Sequence, residues 1–249
     1  MLCGFLQSLE GDKPGTREFP ASSLYLTGER MKKYVLFDLD GTLTDSREGI
    51  VNSIVYMLGY YQIAIKDRGE LQPWLGPPLK ESLMKYCGFT EKKALEGVAV
   101  YREYFDRQGI FENKVYPDME EMLQRLREKG YQLLVATSKP ETAAVRVLEH
   151  FKLAEYFTYI GGATLDDSRV RKGDVIRYVL ESCGVEENAQ AVMVGDREHD
   201  VQGAKENGLA VIGVLYGYGS REELTKAGAD YLVDKPMDLV ELLANMHKI

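Results

Sequence analysis

Short, almost wholly apolar stretches alternate along this chain with longer segments in which apolar residues recur every three or four positions. Residues 34–37, 131–137, 191–194, 210–215 and 231–233 offer next to no polar face, as strands buried on both sides do. Residues 46–60, 118–128, 141–151, 174–183, 199–207 and 238–246 carry the helical period. Strand and helix in alternation predict an α/β fold with a parallel sheet covered on both faces. One long interval, about residues 46–114, holds no convincing strand. Within it Ala94, Val98, Tyr101 and Phe105 fall on one helical face. We read the interval as a helical insertion, folded as a small domain between the first and second core strands.

The first thirty residues follow no such period. Residues 1–6 are apolar but too short, and too poor in basic residues, for a secretory leader. Pro14, Gly15, Pro20 and Gly28 punctuate the rest. Two readings stay open for residues 1–30: a disordered tail, or an artefact of the assigned start, with Met31 as the natural first residue. The remainder divides into a core of residues 31–45 and 115–249 around an insertion of residues 46–114.

Composition narrows the function. The 249 residues include 31 Lys plus Arg against 39 Asp plus Glu, a formal net charge of −8. A net acid is a poor partner for nucleic acid or an anionic membrane surface, although a local site can still gather cations around an anionic substrate. Cys3, Cys87 and Cys183 are odd in number and far apart, which speaks against a disulfide framework or a Cys-rich zinc site. His150, His199 and His247 lack zinc-binding spacing, so any metal should be hard and held through oxygen. No apolar run reaches the roughly 18 residues that span a bilayer. The expectation is a cytoplasmic protein, monomer or homodimer, that acts on a small molecule and has neither a nucleic-acid nor a membrane partner.

The densest chemistry follows the first strand, in Asp38-Leu39-Asp40-Gly41-Thr42-Leu43-Thr44-Asp45. Positions two apart in an extended chain point the same way, so Asp38 and Asp40 should converge at the carboxyl end of a buried strand, where α/β sheets place their ligands. Gly41 allows a sharp exit. Two adjacent carboxylates repel, and the arrangement needs a cation or a shared proton. A calcium loop is excluded by spacing: counted from Asp38, the sixth position is Leu43 rather than Gly and the twelfth is Gly49 rather than Glu.

Strand-D-x-D-G-T-L resembles the first motif of the haloacid dehalogenase-like hydrolase superfamily. Residues similar to its other motifs follow in order: Thr137 ending YQLLVAT, Lys172 opening a helix, and Gly195-Asp196-Arg197-Glu198-His199-Asp200 after an apolar strand. The resemblance covers residues 32–243. It implies a Rossmann-like parallel-sheet core with a small helical cap domain inserted after the first core strand. It also implies a Mg²⁺ ion on Asp38, Asp196 and the Asp40 main-chain carbonyl. Asp38 would then be the nucleophile that forms an aspartyl-phosphate, and Asp40 the general acid and base. Lys172 would neutralise charge, while Thr137 and main-chain N–H groups after Asp38 would bind the transferring oxygens. Asp200 would orient Lys172 or a metal-bound water.

An acid at position 40 favours phosphate chemistry, since a halide leaving group needs no proton. Among capped members the chain is most similar to the phosphoglycolate phosphatase group. Residues 74–81, 168–172 and 195–200 resemble its bacterial 5′-nucleotidase-like members. The expected activity is Mg²⁺-dependent hydrolysis of a small phosphorylated metabolite. Its rivals are a phosphosugar mutase or pyrophosphatase of the same superfamily, or a non-catalytic binding domain on this fold. Gly41, Thr42, Ser138, Lys80 and Arg169 are candidates for substrate contact. Gly76-Pro77-Pro78 is either a stiff turn over the site or a helix-initiating loop. Tyr216-Gly217-Tyr218-Gly219 either flanks the site or packs on the cap.

Overall fold

A computed structural model of the chain describes residues 33–75, 77–166 and 168–246. The expectations for residues 1–30 and for Gly76 lie outside the described residues.

The chain runs β1 (Tyr34–Phe37), β2 (Thr44–Asp45), α1 (Arg47–Tyr60), α2 (Leu79–Cys87), α3 (Glu91–Phe105), β3 (Lys114–Val115), α4 (Met119–Glu128) and β4 (Gln132–Pro140). It continues through α5 (Glu141–His150), β5 (Tyr159–Ala163), α6 (Lys172–Ser182), β6 (Ala191–Gly195), α7 (Glu198–Glu206), β7 (Ala210–Val214), α8 (Arg221–Ala227), β8 (Tyr231–Val233) and α9 (Asp238–Asn245). Six strands form one parallel sheet in the order β5-β4-β1-β6-β7-β8. The first strand is therefore central, and the strand order changes direction beside it. That topology opens a crevice at the carboxyl ends of β1, β4 and β6.

Alternation within each strand serves two cores. Val35 and Phe37 of β1 join Leu133, Val135, Val192 and Val194 beneath α4, α5 and α9. Tyr34 and Leu36 face the other way, with Leu134, Ala136 and Met193, beneath α6 and α7. The sheet is thus buried on both faces, which is why its strands read as unbroken apolar runs. Among the described residues no helix is long and apolar enough to cross a membrane.

The sequence pattern leaves two elements of this core unread. Gly161 and Gly162 lie in β5 and weaken its pattern, yet packing requires them. A Cβ on Gly161 would stand 2.4 Å from Val179 Cγ2, and one on Gly162 would stand 2.6 Å from the Lys139 carbonyl. Helix α8 is short, and Leu224 is its buried residue. In addition, β4 runs three residues past Thr137, with a register shift between Ala136 and Pro140.

Strands β2 and β3 pair antiparallel, Thr44 with Val115 and Asp45 with Lys114, where the chain leaves the sheet layer and returns to it. Between them α1, α2 and α3 close on their own apolar cluster, centred on Ile54, Met57, Leu71, Leu83 and Ala94. The stripe anticipated on α3 has two duties. Ala94 belongs to that cluster and Val98 and Tyr101 pack against it, while Val98, Tyr101 and Phe105 also line a cavity of about 970 Å³ between these helices and the sheet.

Candidate active site

Asp38 follows the last residue of β1, and its N–H continues the strand ladder by donating to the Val194 carbonyl at 3.0 Å. The carboxylate faces the cavity. Lys172, the first residue of α6, reaches it from the side: Nζ donates to Asp38 Oδ1 at 2.6 Å and to the Ala136 carbonyl at 3.1 Å, and lies 2.8 Å from Asp200 Oδ1. One glycine permits this placement. A Cβ on Gly203 of α7 would lie 2.8 Å from the Gly173 nitrogen and 2.9 Å from Lys172 Cγ, so α6 and α7 approach backbone to backbone.

Asp196 sits just past β6 and is fully buried. The Tyr218 N–H donates to its Oδ2 at 2.7 Å, and the Thr42 hydroxyl to its Oδ1 at 3.4 Å. Gly41 has φ +88°, and a Cβ there would stand 2.2 Å from Asp196 Oδ2. The turn after Asp38 therefore needs glycine twice over, for its left-handed backbone and for the acid packed against it.

One oxygen from each of Asp38, Asp196 and Asp200 lies within 4.8 Å of the others. Against these three carboxylates Lys172 brings a single buried ammonium. Burial, opposed by Lys172 and reinforced by Asp200, pushes the Asp38 carboxyl up to about 6. Burial, with the charges of Asp200 and Asp38, pushes Asp196 well above the usual carboxylate range. Burial works against the charge on Lys172, but Asp200 and Asp38 outweigh it and hold the ammonium above its ordinary value. Asp200 Oδ1, although close to that ammonium, accepts no well-aligned hydrogen bond among the described residues. An all-oxygen donor set with surplus negative charge fits a hard divalent cation.

Asp40 lines the same cavity, but its carboxylate stands apart from the acidic cluster. Both its oxygens accept from Lys139 Nζ, at 2.8 and 3.1 Å. Lys139 is itself buried and lies 4.7 Å from the centre of the Phe105 ring on α3. The sequence reading missed Lys139. Its only trace is the extended Thr137-Ser138-Lys139, where positions two apart share a face. Thr137 is buried at the cavity and accepts from the Lys139 N–H at 3.2 Å, and Ser138 is exposed on the cavity wall.

Gly41 and Thr42 pack on Asp196, and neither is among the residues lining the cavity. Their N–H groups bond within the turn, to the Thr44 and Leu39 carbonyls. Arg169 is not among the cavity-lining residues. Its guanidinium lies 3.4 Å over the Tyr178 ring and its Nε donates to the Gly162 carbonyl at 3.0 Å. Lys80 does line the cavity, in an ion pair with Glu91 at 3.0 Å. Tyr218 fulfils both readings of its loop, since its amide binds Asp196 and its ring packs on the helical cluster, whereas Tyr216 does neither and packs on Tyr116 in the core.

The model of the family described as haloacid dehalogenase-like hydrolase matches residues 35–214, from β1 through β7. The chain belongs to that family. Its membership agrees with the central strand bearing Asp38 and with the placement of Thr137, Lys172 and Asp196 around it. Among curated relatives of this hydrolase, a 5′-nucleotidase of Pseudomonas aeruginosa is 44% identical over 76% of this chain and 86% of its own. The tyrosine-protein kinase PtkA of Mycobacterium tuberculosis is 38% identical over 77% of this chain and 65% of its own. Among solved structures, a predicted phosphatase from Clostridium acetobutylicum superposes with a TM-score of 0.83 at 48% identity, covering 86% of this chain and 99% of its own.

Proposed function

We propose that this hydrolase is a Mg²⁺-dependent phosphatase of small phosphomonoesters, of the phosphoglycolate phosphatase-like or 5′-nucleotidase-like kind, working through an aspartyl-phosphate on Asp38. The observation that carries the reading is the buried cluster of Asp38, Asp196 and Asp200 with Lys172, open to the cavity through Asp38. The Pseudomonas 5′-nucleotidase and the Clostridium predicted phosphatase support the substrate class.

Asp38, Asp196 and the main-chain carbonyl of Asp40 would hold Mg²⁺, with Asp200 beside them. When bound, the ion offsets the repulsion between a carboxylate and a phosphate dianion and stabilises charge on the phosphoryl oxygens. Lys172 keeps one Asp38 oxygen engaged, so the other attacks phosphorus. The bond from phosphorus to the ester oxygen breaks as Asp40, having parted from Lys139 and taken up a proton, passes it to that oxygen, which leaves as an alcohol. Asp40, now ionised, takes a proton from water. The water oxygen attacks the aspartyl-phosphate at phosphorus, releasing inorganic phosphate and restoring Asp38. Thr137, at the end of the neighbouring strand, offers its hydroxyl to a phosphoryl oxygen.

In this reading residues 46–114 act as a cap domain over a core of residues 31–45 and 115–249, excluding bulk water and meeting the leaving group. Val98, Tyr101 and Phe105 on the cap side, facing Asp38 and Thr137 on the core side, suit that division. A screen of phosphorylated metabolites with Mg²⁺, repeated in excess EDTA, tests the proposal. Phosphate release that stops with EDTA and returns with Mg²⁺ is the expected result. Full activity in EDTA, or no turnover across the panel, would overturn it.

A further inference from the structure

Two of the three clustered acids are held through a main-chain N–H whose own side chain reaches beyond the core sheet. Asp200 Oδ2 accepts from the main-chain N–H of Arg197 at 3.0 Å, and the guanidinium of that same Arg197 donates to the Leu75 carbonyl in the helical insertion. Asp196 Oδ2 accepts from the main-chain N–H of Tyr218 at 2.7 Å, and the hydroxyl of that same Tyr218 meets Asp45 Oδ1 and Ser46 Oγ, each at 3.2 Å, where the insertion leaves β2. Each acid is thus one residue away from the insertion, through a single backbone amide.

The links are stiff. Glu223 Oε1 pins Arg197 Nε at 2.8 Å and also accepts from the Glu198 N–H at 3.0 Å. Leu75 is buried in the insertion's own apolar cluster. The loop carrying Tyr218 is wrapped on Asp196: a Cβ at Gly217 would stand 2.4 Å from Asp196 Cβ, and one at Gly219 would stand 1.9 Å from the Asp196 carbonyl. The Tyr218 amide cannot move far without taking Asp196 with it. Arg47 adds a further contact, 5.0 Å from the centre of the Tyr218 ring.

We infer that Arg197 and Tyr218 are positioning residues that couple the docking of the insertion to the geometry of the metal-binding carboxylates. When the insertion is docked as here, both links are made and Asp196 and Asp200 are fixed together. When it swings away, Arg197 loses its Leu75 contact and Tyr218 its Ser46 contact, leaving each amide held by the core alone, and cation affinity falls. A cation that gathers the acids favours the docked arrangement in return, because linkage between two equilibria is reciprocal. The inference rests on the proposed reading of the acidic cluster as a Mg²⁺ site.

The test is calorimetric titration of Mg²⁺ into the full-length protein, without substrate, for the wild type and for Tyr218→Phe, Arg197→Met, Arg197→Lys and Asp196→Asn. Tyr218→Phe keeps the ring and the amide and removes only the hydroxyl. We expect it, and Arg197→Met, to weaken Mg²⁺ binding by about threefold to tenfold, the scale of one hydrogen bond. The Mg²⁺ concentration for half-maximal phosphate release should rise in parallel, and Arg197→Lys, which can still donate to the Leu75 carbonyl, should recover part of the loss. Wild-type Mg²⁺ affinity in both Tyr218→Phe and Arg197→Met would overturn the coupling, even if their melting temperatures fell. Unchanged binding in Asp196→Asn would instead overturn the Mg²⁺ site itself, so the two failures are distinguishable.

Discussion

Asp40 and Lys139 form a closed pair at the cavity wall, both carboxylate oxygens lying within 3.1 Å of one ammonium. Asp40 must part from Lys139 to donate a proton, and that donation matters most when the departing oxygen is a poor leaving group. Asp40→Asn should therefore slow alkyl and sugar phosphates far more than p-nitrophenyl phosphate, whose leaving group needs no proton. Parallel kcat/KM measurements on both classes check this, and equal losses would contradict the role. Gly41→Ala should be costly for another reason. It sets a Cβ 2.2 Å from Asp196 Oδ2 at φ +88°, where an L-residue alone carries roughly 1–2 kcal/mol of strain. The melting temperature should drop by about 4 °C or more, as scanning calorimetry would show.

What could be read at this scale follows from spacing. Asp38 and Asp40 announce themselves because they lie two apart after an apolar run. Lys139, Arg197 and Tyr218 act through backbone amides or across long sequence separations, which a pattern of residue types does not display. Arg169 misled because it stands near Lys172 in sequence, while its own strand-to-helix loop turns it onto Tyr178.

At the scale of elements, the strands were legible wherever both faces are apolar, as in β1, β6 and β7. Strand β5 was not, because close approach to α6 and to β4 required glycines that carry no hydrophobic signal. The α3 stripe was legible as a helix but not in its division between core and cavity, since an apolar side chain suits either. The contact of α6 with α7 gives an element-scale prediction. Gly203→Ala should force the helices apart at Lys172 Cγ, lowering stability by about 1–3 kcal/mol, as overpacking does. It should also reduce turnover, because Lys172 would shift from Asp38. Urea melts and steady-state kinetics check both, and unchanged values would show that α7 yields without disturbing Lys172.

The whole molecule holds three clustered carboxylates with one buried ammonium between them. Without a cation, that surplus charge opposes folding. Mg²⁺ should therefore raise the melting temperature, by about 2.7 kcal/mol of stability at a hundredfold excess over its dissociation constant. Asp196→Asn should melt higher than the wild type in EDTA, because a repulsive charge is gone, and should lose the Mg²⁺-induced rise. Thermal melts with and without Mg²⁺ check both signs.

The central claim is that phosphate passes through Asp38. Protein quenched during turnover of a phosphomonoester, reduced with borohydride and mapped by peptide mass spectrometry measures this directly, since reduction converts an aspartyl-phosphate to homoserine. The account predicts homoserine at position 38, none in Asp38→Asn, and a loss of turnover in that variant of at least about 10³-fold. Phosphate release with Asp38 unmodified throughout, or with more than about a tenth of the rate retained by Asp38→Asn, would contradict it.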